Sequence, residues 1–174
     1  RLVLVDPVIM DPDLYRGVSE QATFVDSNGA HPVARRKNRF DDAEAMFQNF
    51  AGRGSYGLWR ESILRDYCKH GLVPSESGVG FVLACPPEVE AAIYLGSTGR
   101  NIHHMLQEIT QPVTVLRAQR KEEGGQMDFS RSPTWPGLAA AFPDGVDIFL
   151  PHLSHFIPMQ DPALVASHIV GDHA

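Results

Sequence analysis

Cysteine is scarce in this chain, and the sequence has neither a long apolar run nor an excess of positive charge. Only two residues are cysteines, Cys68 and Cys85, and they form no Cys-x-x-Cys pair. The eight histidines complete no zinc-binding spacing, so we predict reduced thiols and no metal site. No apolar run approaches the ~18 residues of a membrane-spanning helix. The net charge of −6 argues against nucleic acid or an anionic membrane as a partner.

What is present is ordinary globular composition, with 43% hydrophobic and 21% charged residues. The chain is long enough for one domain with a sizeable core. It opens on Arg1 and a strand-like run rather than on methionine or a signal peptide, so we expect that it begins inside a larger protein. The missing signal and the unpaired cysteines favour an intracellular location.

Three short apolar runs predict strands that are buried on both faces of a parallel sheet. They are Leu2–Val5, Pro112–Arg117 and Val146–Leu150. An Ala- and Leu-rich stretch at Thr134–Phe142 predicts a helix between the second and third strands, and a further helix runs from Pro162 to about Val170. Strand and helix alternating in this order predict an α/β fold with right-handed βαβ units.

The roughly hundred residues between the first two strands are predicted to be mostly helical. Residues 1–10 would then hold a core strand, 11–110 a helical cap, and 111–174 the remaining core strands and helices. The cap helices are expected to start with Asp41 as N-cap, to span about Arg60–His70, to begin at Pro86-Pro87, and to span Asn101–Ile109. Such an insertion is expected over the carboxyl ends of the strands, where ligands bind in open α/β sheets.

His155 follows the last predicted strand on a short loop. The helix after this loop has a clear start signal, with Asp161 as N-cap and Pro162 at its first position. A histidine held at the end of a strand is well placed to shuttle a proton, although a loop histidine can also be purely structural. Its partners decide between the two interpretations.

Four pieces occur along the chain in a recognisable order. They are Leu2–Pro7, the two later predicted strands, and the motif Ser154-His155-Phe156-x-Pro-Met-x-Asp-Pro. This arrangement resembles the C-terminal portion of an α/β-hydrolase over the whole chain. Two stretches of the cap, Ala34-Arg35-Arg36 and Tyr67–Leu72, are similar to serine hydrolases of the fungal toxin-biosynthesis and peroxisomal lipase type. The resemblance implies the α/β-hydrolase fold with a cap, and cleavage of an ester, thioester, lactone or similar bond in a hydrophobic small molecule.

The resemblance also assigns His155 the role of the catalytic histidine, in the family order nucleophile, acid, histidine. No Gly-x-Ser-x-Gly motif occurs in the chain, so the nucleophile is expected on an N-terminal segment of the same protein, which would be the partner of this chain. The chain by itself is then expected to be inactive. No cofactor is implied. A peroxisomal location follows only from the family, because the chain ends Gly171-Asp172-His173-Ala174 rather than in Ser-Lys-Leu.

The acid of the triad is ambiguous on sequence grounds. In most family members it follows the strand that ends here near Arg117, where Glu122, Glu123 and Asp128 are available but displaced. In others it follows the preceding strand, and there Asp6 matches. We prefer Asp6, because a strand's carboxyl end is the usual place for site residues in α/β sheets. The alternative is that Asp6 only starts a turn before Pro7.

Two tryptophans, Trp59 in the cap and Trp135 after the second strand, are candidates to line a substrate pocket, and plain packing would explain them equally. A different function is also compatible with the sequence. The chain could belong to a non-catalytic α/β-hydrolase-like protein that binds a small ligand or a protein partner. A third possibility has an aspartate nucleophile, with His155 activating water.

Overall fold

The computed structural model describes residues 1–16, 31–96, 101–120 and 129–171. Along these residues the strands are β1 (Leu2–Val5), β2 (Arg39–Phe40), β3 (Leu72–Pro74), β4 (Phe81–Leu83), β5 (Val113–Ala118) and β6 (Gly145–Leu150). The α-helices are α1 (Ala43–Phe50), α2 (Glu61–His70), α3 (Pro87–Gly96), α4 (Ile157–Gln160) and α5 (Pro162–Val170). The chain divides into two compact units, Arg1–Gly17 with Leu58–Arg60 and Asn101–Ala174, and Val18–Gly57 with Glu61–Arg100.

The first unit contains the predicted parallel sheet. Within the described residues its strand order is β1-β5-β6, with Leu2 opposite Val113 and Val113 opposite Gly145. Since both strand pairs are parallel, their carboxyl ends meet at one edge of the sheet. The residues that follow β1, β5 and β6 therefore come together there.

The core lies on both faces of the central strand β5. Val113 and Val115 belong to one apolar cluster, whereas Leu116 and Ala118 belong to a second cluster on the other face. All four side chains are almost completely buried. Each fully buried Val or Leu contributes about 1.5–3 kcal/mol relative to an exposed one. This agrees with the prediction that β5 is buried on both faces, although Thr114 and Arg117 interrupt its apolar residues. The same prediction is wrong for β6, where Val146 and Phe149 are exposed.

Helix α5 confirms the start signal at its N-terminus. The Asp161 carboxylate accepts a hydrogen bond from the Leu164 backbone N–H at 3.1 Å, and Pro162 occupies the first turn. The helix predicted over Thr134–Phe142 is wrong: within this stretch the structure has only a 3-10 turn at Ala139–Ala141. Pro136 and Gly137 explain the difference, because proline removes a helical donor and glycine lowers helix propensity.

The second unit contains α1, α2 and α3, close to where the sequence predicts them. The N-cap of α1 is Asp42 rather than the predicted Asp41, and its carboxylate accepts from the Ala45 N–H at 2.7 Å. The expectation of a mostly helical insertion missed an antiparallel sheet of order β2-β4-β3, whose strands have only two or three residues each.

The helix predicted over Asn101–Ile109 is a 3-10 helix at His103–Glu108, and it belongs to the first unit. The Asn101 side chain accepts a hydrogen bond from the His103 N–H and so begins this turn. Among the helices of the described ranges, none has the length and apolar character needed to cross a membrane.

Candidate active site

Asp6 is the first residue after β1 and its side chain is buried. Its Oδ1 accepts hydrogen bonds from the Ala118 backbone N–H at 2.9 Å and from the Ser132 hydroxyl at 2.6 Å. The backbone of Asp6 is in the left-handed region, with φ of 43°. Aspartate is one of the few non-glycine residues that tolerate this region, and the turn aims its carboxylate back across the end of β5.

His155 lies beside this carboxylate on the loop after β6. Its Nδ1 is 2.7 Å from Oδ2 of Asp6, and its ring is 29% exposed whereas the Asp6 side chain is fully buried. An ionised carboxylate can only accept, so the neutral ring carries its hydrogen on Nδ1 and has Nε2 as its basic nitrogen. A ring in this tautomer can take up a proton at Nε2 while the carboxylate stabilises the resulting charge.

The loop that carries His155 is held on both sides of the histidine. The Ser154 N–H donates to the side-chain oxygen of Gln160 at 2.8 Å, and the Ser154 hydroxyl also bonds to this oxygen. The Phe156 N–H donates to the Ser154 hydroxyl at 3.2 Å. Ile157 then starts α4 with a completely buried side chain. The imidazole is therefore presented from a loop with its own polar network.

Aromatic side chains extend from His155 to Trp59. The Phe156 ring lies 5.8 Å from the His155 ring and 5.7 Å from the ring of Trp59, measured between centroids. The neighbouring residue Arg60 fixes this arrangement, since its backbone N–H donates to the Met159 carbonyl and its Nε to the Gln160 carbonyl. Trp59 is thus positioned near His155, with Phe156 between them.

Trp135, the other predicted pocket residue, has different neighbours. Its ring makes an edge contact with the His103 ring at 5.3 Å, and its backbone N–H donates to the Ile9 carbonyl at 2.9 Å. It also packs against the apolar cluster that includes Val113 and Leu138.

The alternative acids Glu122, Glu123 and Asp128 lie outside the described residues. Two hydroxyl residues that contact the Asp6 carboxylate, Ser132 and Thr134, were missed by sequence reasoning. The available signal is the alternation of hydroxyl residues at Ser130, Ser132 and Thr134, between the second and third predicted strands.

A second polar cluster lies in the other unit. The Arg36 guanidinium bonds to the Glu90 carboxylate at 2.6 Å and to the hydroxyls of Tyr56 and Tyr67 at 2.9 and 3.2 Å. Burial raises the pKa of Tyr56 above its ordinary value, so this hydroxyl stays protonated. The arginine charge is balanced by Glu90, and the cluster therefore acts as a structural tie within the unit. Across the described ranges, no group of three or more His, Cys, Asp or Glu side chains could hold a metal ion.

No family model and no curated protein matches the chain. A solved structure does: the crystal structure of E-2-(acetamidomethylene)succinate hydrolase superposes with a TM-score of 0.52 at 18% sequence identity. The match covers 76% of this chain and 46% of that chain, so the chain spans less than half the length of the matched protein. The fold is that of an α/β-hydrolase. The predicted fold class is confirmed, while the narrower resemblance to toxin-biosynthesis and peroxisomal lipases stays a prediction.

Proposed function

We propose that this chain supplies the histidine and the acid of a serine hydrolase, with His155 as general base and acid and Asp6 as its orienting carboxylate. The observation that supports this most directly is the 2.7 Å hydrogen bond between His155 Nδ1 and Asp6 Oδ2. Asp6 is buried and tied to the end of β5, so it can hold the ring in one tautomer. The other ring nitrogen is then free to exchange a proton with a nucleophile.

In the proposed reaction, Nε2 of His155 takes the proton of a serine hydroxyl as the serine oxygen attacks the substrate carbonyl. Asp6 stabilises the imidazolium and stays ionised. The imidazolium next gives its proton to the leaving group, and an acyl-enzyme forms. A water molecule then gives its proton to Nε2, attacks the acyl carbon, and restores the serine when the proton returns. The cycle consumes one water molecule and requires no cofactor.

The serine is proposed to come from an N-terminal segment of the same protein. The 174 residues contain no Gly-x-Ser-x-Gly, and β1 has no second strand partner among the described residues. A strand added in parallel at β1 would end at the same edge of the sheet as Asp6. A nucleophile that follows such a strand would come within reach of His155.

The proposed substrate is a hydrophobic small molecule with an ester, thioester, lactone or similar bond. Trp59 and Phe156 support this choice, because they put aromatic surface next to the proposed base. Trp135 is kept as a second pocket residue in the proposal. The finer assignment, a hydrolase of the toxin-biosynthesis or peroxisomal lipase type, and a peroxisomal location rest on the sequence resemblance alone. A cytoplasmic location is proposed from the unpaired cysteines.

Active-site labelling tests the proposal. The assembly purified with this chain is treated with a fluorophosphonate probe, and the intact mass of every chain present is measured. We expect the label on a companion segment, with loss of labelling in His155→Ala. His152→Ala is the matched control, because His152 is an exposed histidine three residues earlier on the same loop and should leave labelling intact.

Two outcomes would contradict the proposal. A folded assembly that takes no label would favour a ligand-binding module or an aspartate nucleophile. Full hydrolase activity in the isolated 174-residue chain would show that the nucleophile is not on another segment.

A further inference from the structure

The segment Ser130–Thr134 contacts the chain just beyond the end of β5. Ser132 forms a parallel bridge with Arg120, and its backbone N–H donates to the Gln119 carbonyl at 2.9 Å. Residues 130, 132 and 134 each bond to one of the two residues of the proposed dyad.

Two side chains of this segment reach Asp6. The Ser132 hydroxyl is 2.6 Å from Oδ1, and the Thr134 hydroxyl lies 3.2 Å from the same oxygen and 2.7 Å from the Pro7 carbonyl. Threonine has only one hydroxyl hydrogen, and the shorter contact is to Pro7. Ser132 therefore makes the stronger bond to the carboxylate, and Thr134 mainly fixes the turn that follows Asp6.

The direction of the Ser132 bond is set by its surroundings. The backbone N–H of Thr134 donates to the Ser132 hydroxyl oxygen at 3.2 Å. Because an ionised carboxylate can only accept, the Ser132 hydroxyl donates its hydrogen to Oδ1 while its oxygen accepts from Thr134. Ser132 and Thr134 are both buried, so water does not compete for these bonds.

The same segment also holds the backbone of His155. The His155 N–H donates to the Ser130 carbonyl at 2.7 Å. One short stretch thus binds the acid through its side chains and the histidine through its main chain. Asp6 and His155, which are 149 positions apart in the sequence, are therefore both bonded to this one segment.

We infer that Ser132, supported by Thr134, is a positioning residue that fixes the rotation of the Asp6 carboxylate so that Oδ2 stays on His155 Nδ1. The inference rests on the proposed function for its catalytic meaning, but the geometric part stands without it. Loss of the Ser132 hydroxyl leaves Oδ1 with the Ala118 N–H and the longer Thr134 contact. The carboxylate then has more freedom to turn, and the bond from Nδ1 to Oδ2 is formed for a smaller part of the time.

Nuclear magnetic resonance of His155 in the full 174-residue chain tests this directly. The hydrogen on Nδ1 is followed through its exchange with solvent, and the tautomer through the ring nitrogen shifts. We expect about tenfold faster exchange in Ser132→Ala, the factor that corresponds to one lost hydrogen bond to a charged group. Thr134→Val is expected to give a smaller change, and Thr134→Ser, which keeps the hydroxyl, to restore wild-type exchange.

Ser167→Ala is the matched control, because Ser167 bonds to the Leu164 carbonyl on α5 and does not contact the dyad. Exchange in Ser132→Ala equal to that in Ser167→Ala would overturn the inference. If Ser132→Ala does not fold, Thr134→Val is compared with Thr134→Ser instead. Equal exchange of the Nδ1 hydrogen in these two variants would also overturn the inference.

The assembled enzyme separates failure of this inference from failure of the proposed function. We expect Ser132→Ala to lower kcat about tenfold with KM unchanged, since Ser132 contacts Asp6 and not the substrate pocket. If exchange is faster in Ser132→Ala but the wild-type assembly shows neither labelling nor hydrolysis, the hydrolase proposal is refuted and the positioning role is supported. Normal exchange in a variant of a working enzyme would refute only the positioning role.

Discussion

Replacement of Asp6 by asparagine is the most incisive perturbation of the candidate site. Asparagine has nearly the same shape as aspartate and also tolerates the left-handed backbone at this position, where φ is 43°. Its amide oxygen can still accept from the Ala118 N–H and the Ser132 hydroxyl. Its NH2 group would then face His155 Nδ1, so two donors would meet unless the imidazole changes tautomer.

The expected outcome is a change of tautomer with little loss of structure. His155 would carry its hydrogen on Nε2 and accept from the amide at Nδ1, and could no longer take a proton from a nucleophile. The corresponding change in serine proteases lowers kcat by about 10⁴, which is about 5 kcal/mol of transition-state stabilisation. The hydrogen bonds that Asp6 accepts lose their charged partner in this variant, which should lower the free energy of unfolding by roughly 1–3 kcal/mol.

Three measurements check this prediction: kcat of the assembly, the ring nitrogen shifts of His155, and the free energy of unfolding. Asp147→Asn is the control, because Asp147 is an exposed carboxylate on β6 that pairs with Arg117 on β5 and not with His155. Wild-type kcat in Asp6→Asn, with the ring tautomer changed, would refute the reasoning that Asp6 sets the catalytic tautomer. An unchanged tautomer would refute the geometry itself.

Two further predictions concern the fold. Asp161→Ala removes the bond to the Leu164 N–H at the start of α5 and should lower the free energy of unfolding by about 1 kcal/mol, measured by urea denaturation, with exposed Asp144→Ala close to wild type. For the two thiols, burial raises the pKa of Cys68, and since the thiolate is the reactive form, its modification at pH 8 should be slow until the chain unfolds. Exposed Cys85 should react at once, and two equally fast thiols would contradict the packing around Cys68.

Local signals account for the parts of the fold that could be predicted. Short, mainly apolar runs identify β1, β5 and β6. In β5 the run reflects burial on both faces, whereas β1 and β6 are only partly buried. The pair Asp161-Pro162 identifies the start of α5 through two independent preferences. The small antiparallel sheet of the second unit was missed, because strands of two or three residues are shorter than any periodic pattern.

The candidate site could be predicted only in part, for a related reason. Asp6 and His155 are each marked by their position after a strand, and a parallel sheet brings such positions to one edge. The contacts of Ser132 and Thr134 depend on how the segment after β5 returns to the sheet. No local pattern encodes that path: the alternation of hydroxyl residues marks the segment, but it does not show that the segment reaches Asp6.

The parallel pairing of β1 with β5 has a consequence for how the insertion between these strands can change. Leu2 pairs with Val113, so the whole insertion forms one large loop between the two strands. The entropy of closing a loop grows with the logarithm of its length, and doubling the insertion would cost only ~0.6 kcal/mol. The folding rate is more sensitive, since pairing over such a separation is slow. Insertions of different length can thus be exchanged between β1 and β5 at a cost in folding speed more than in stability.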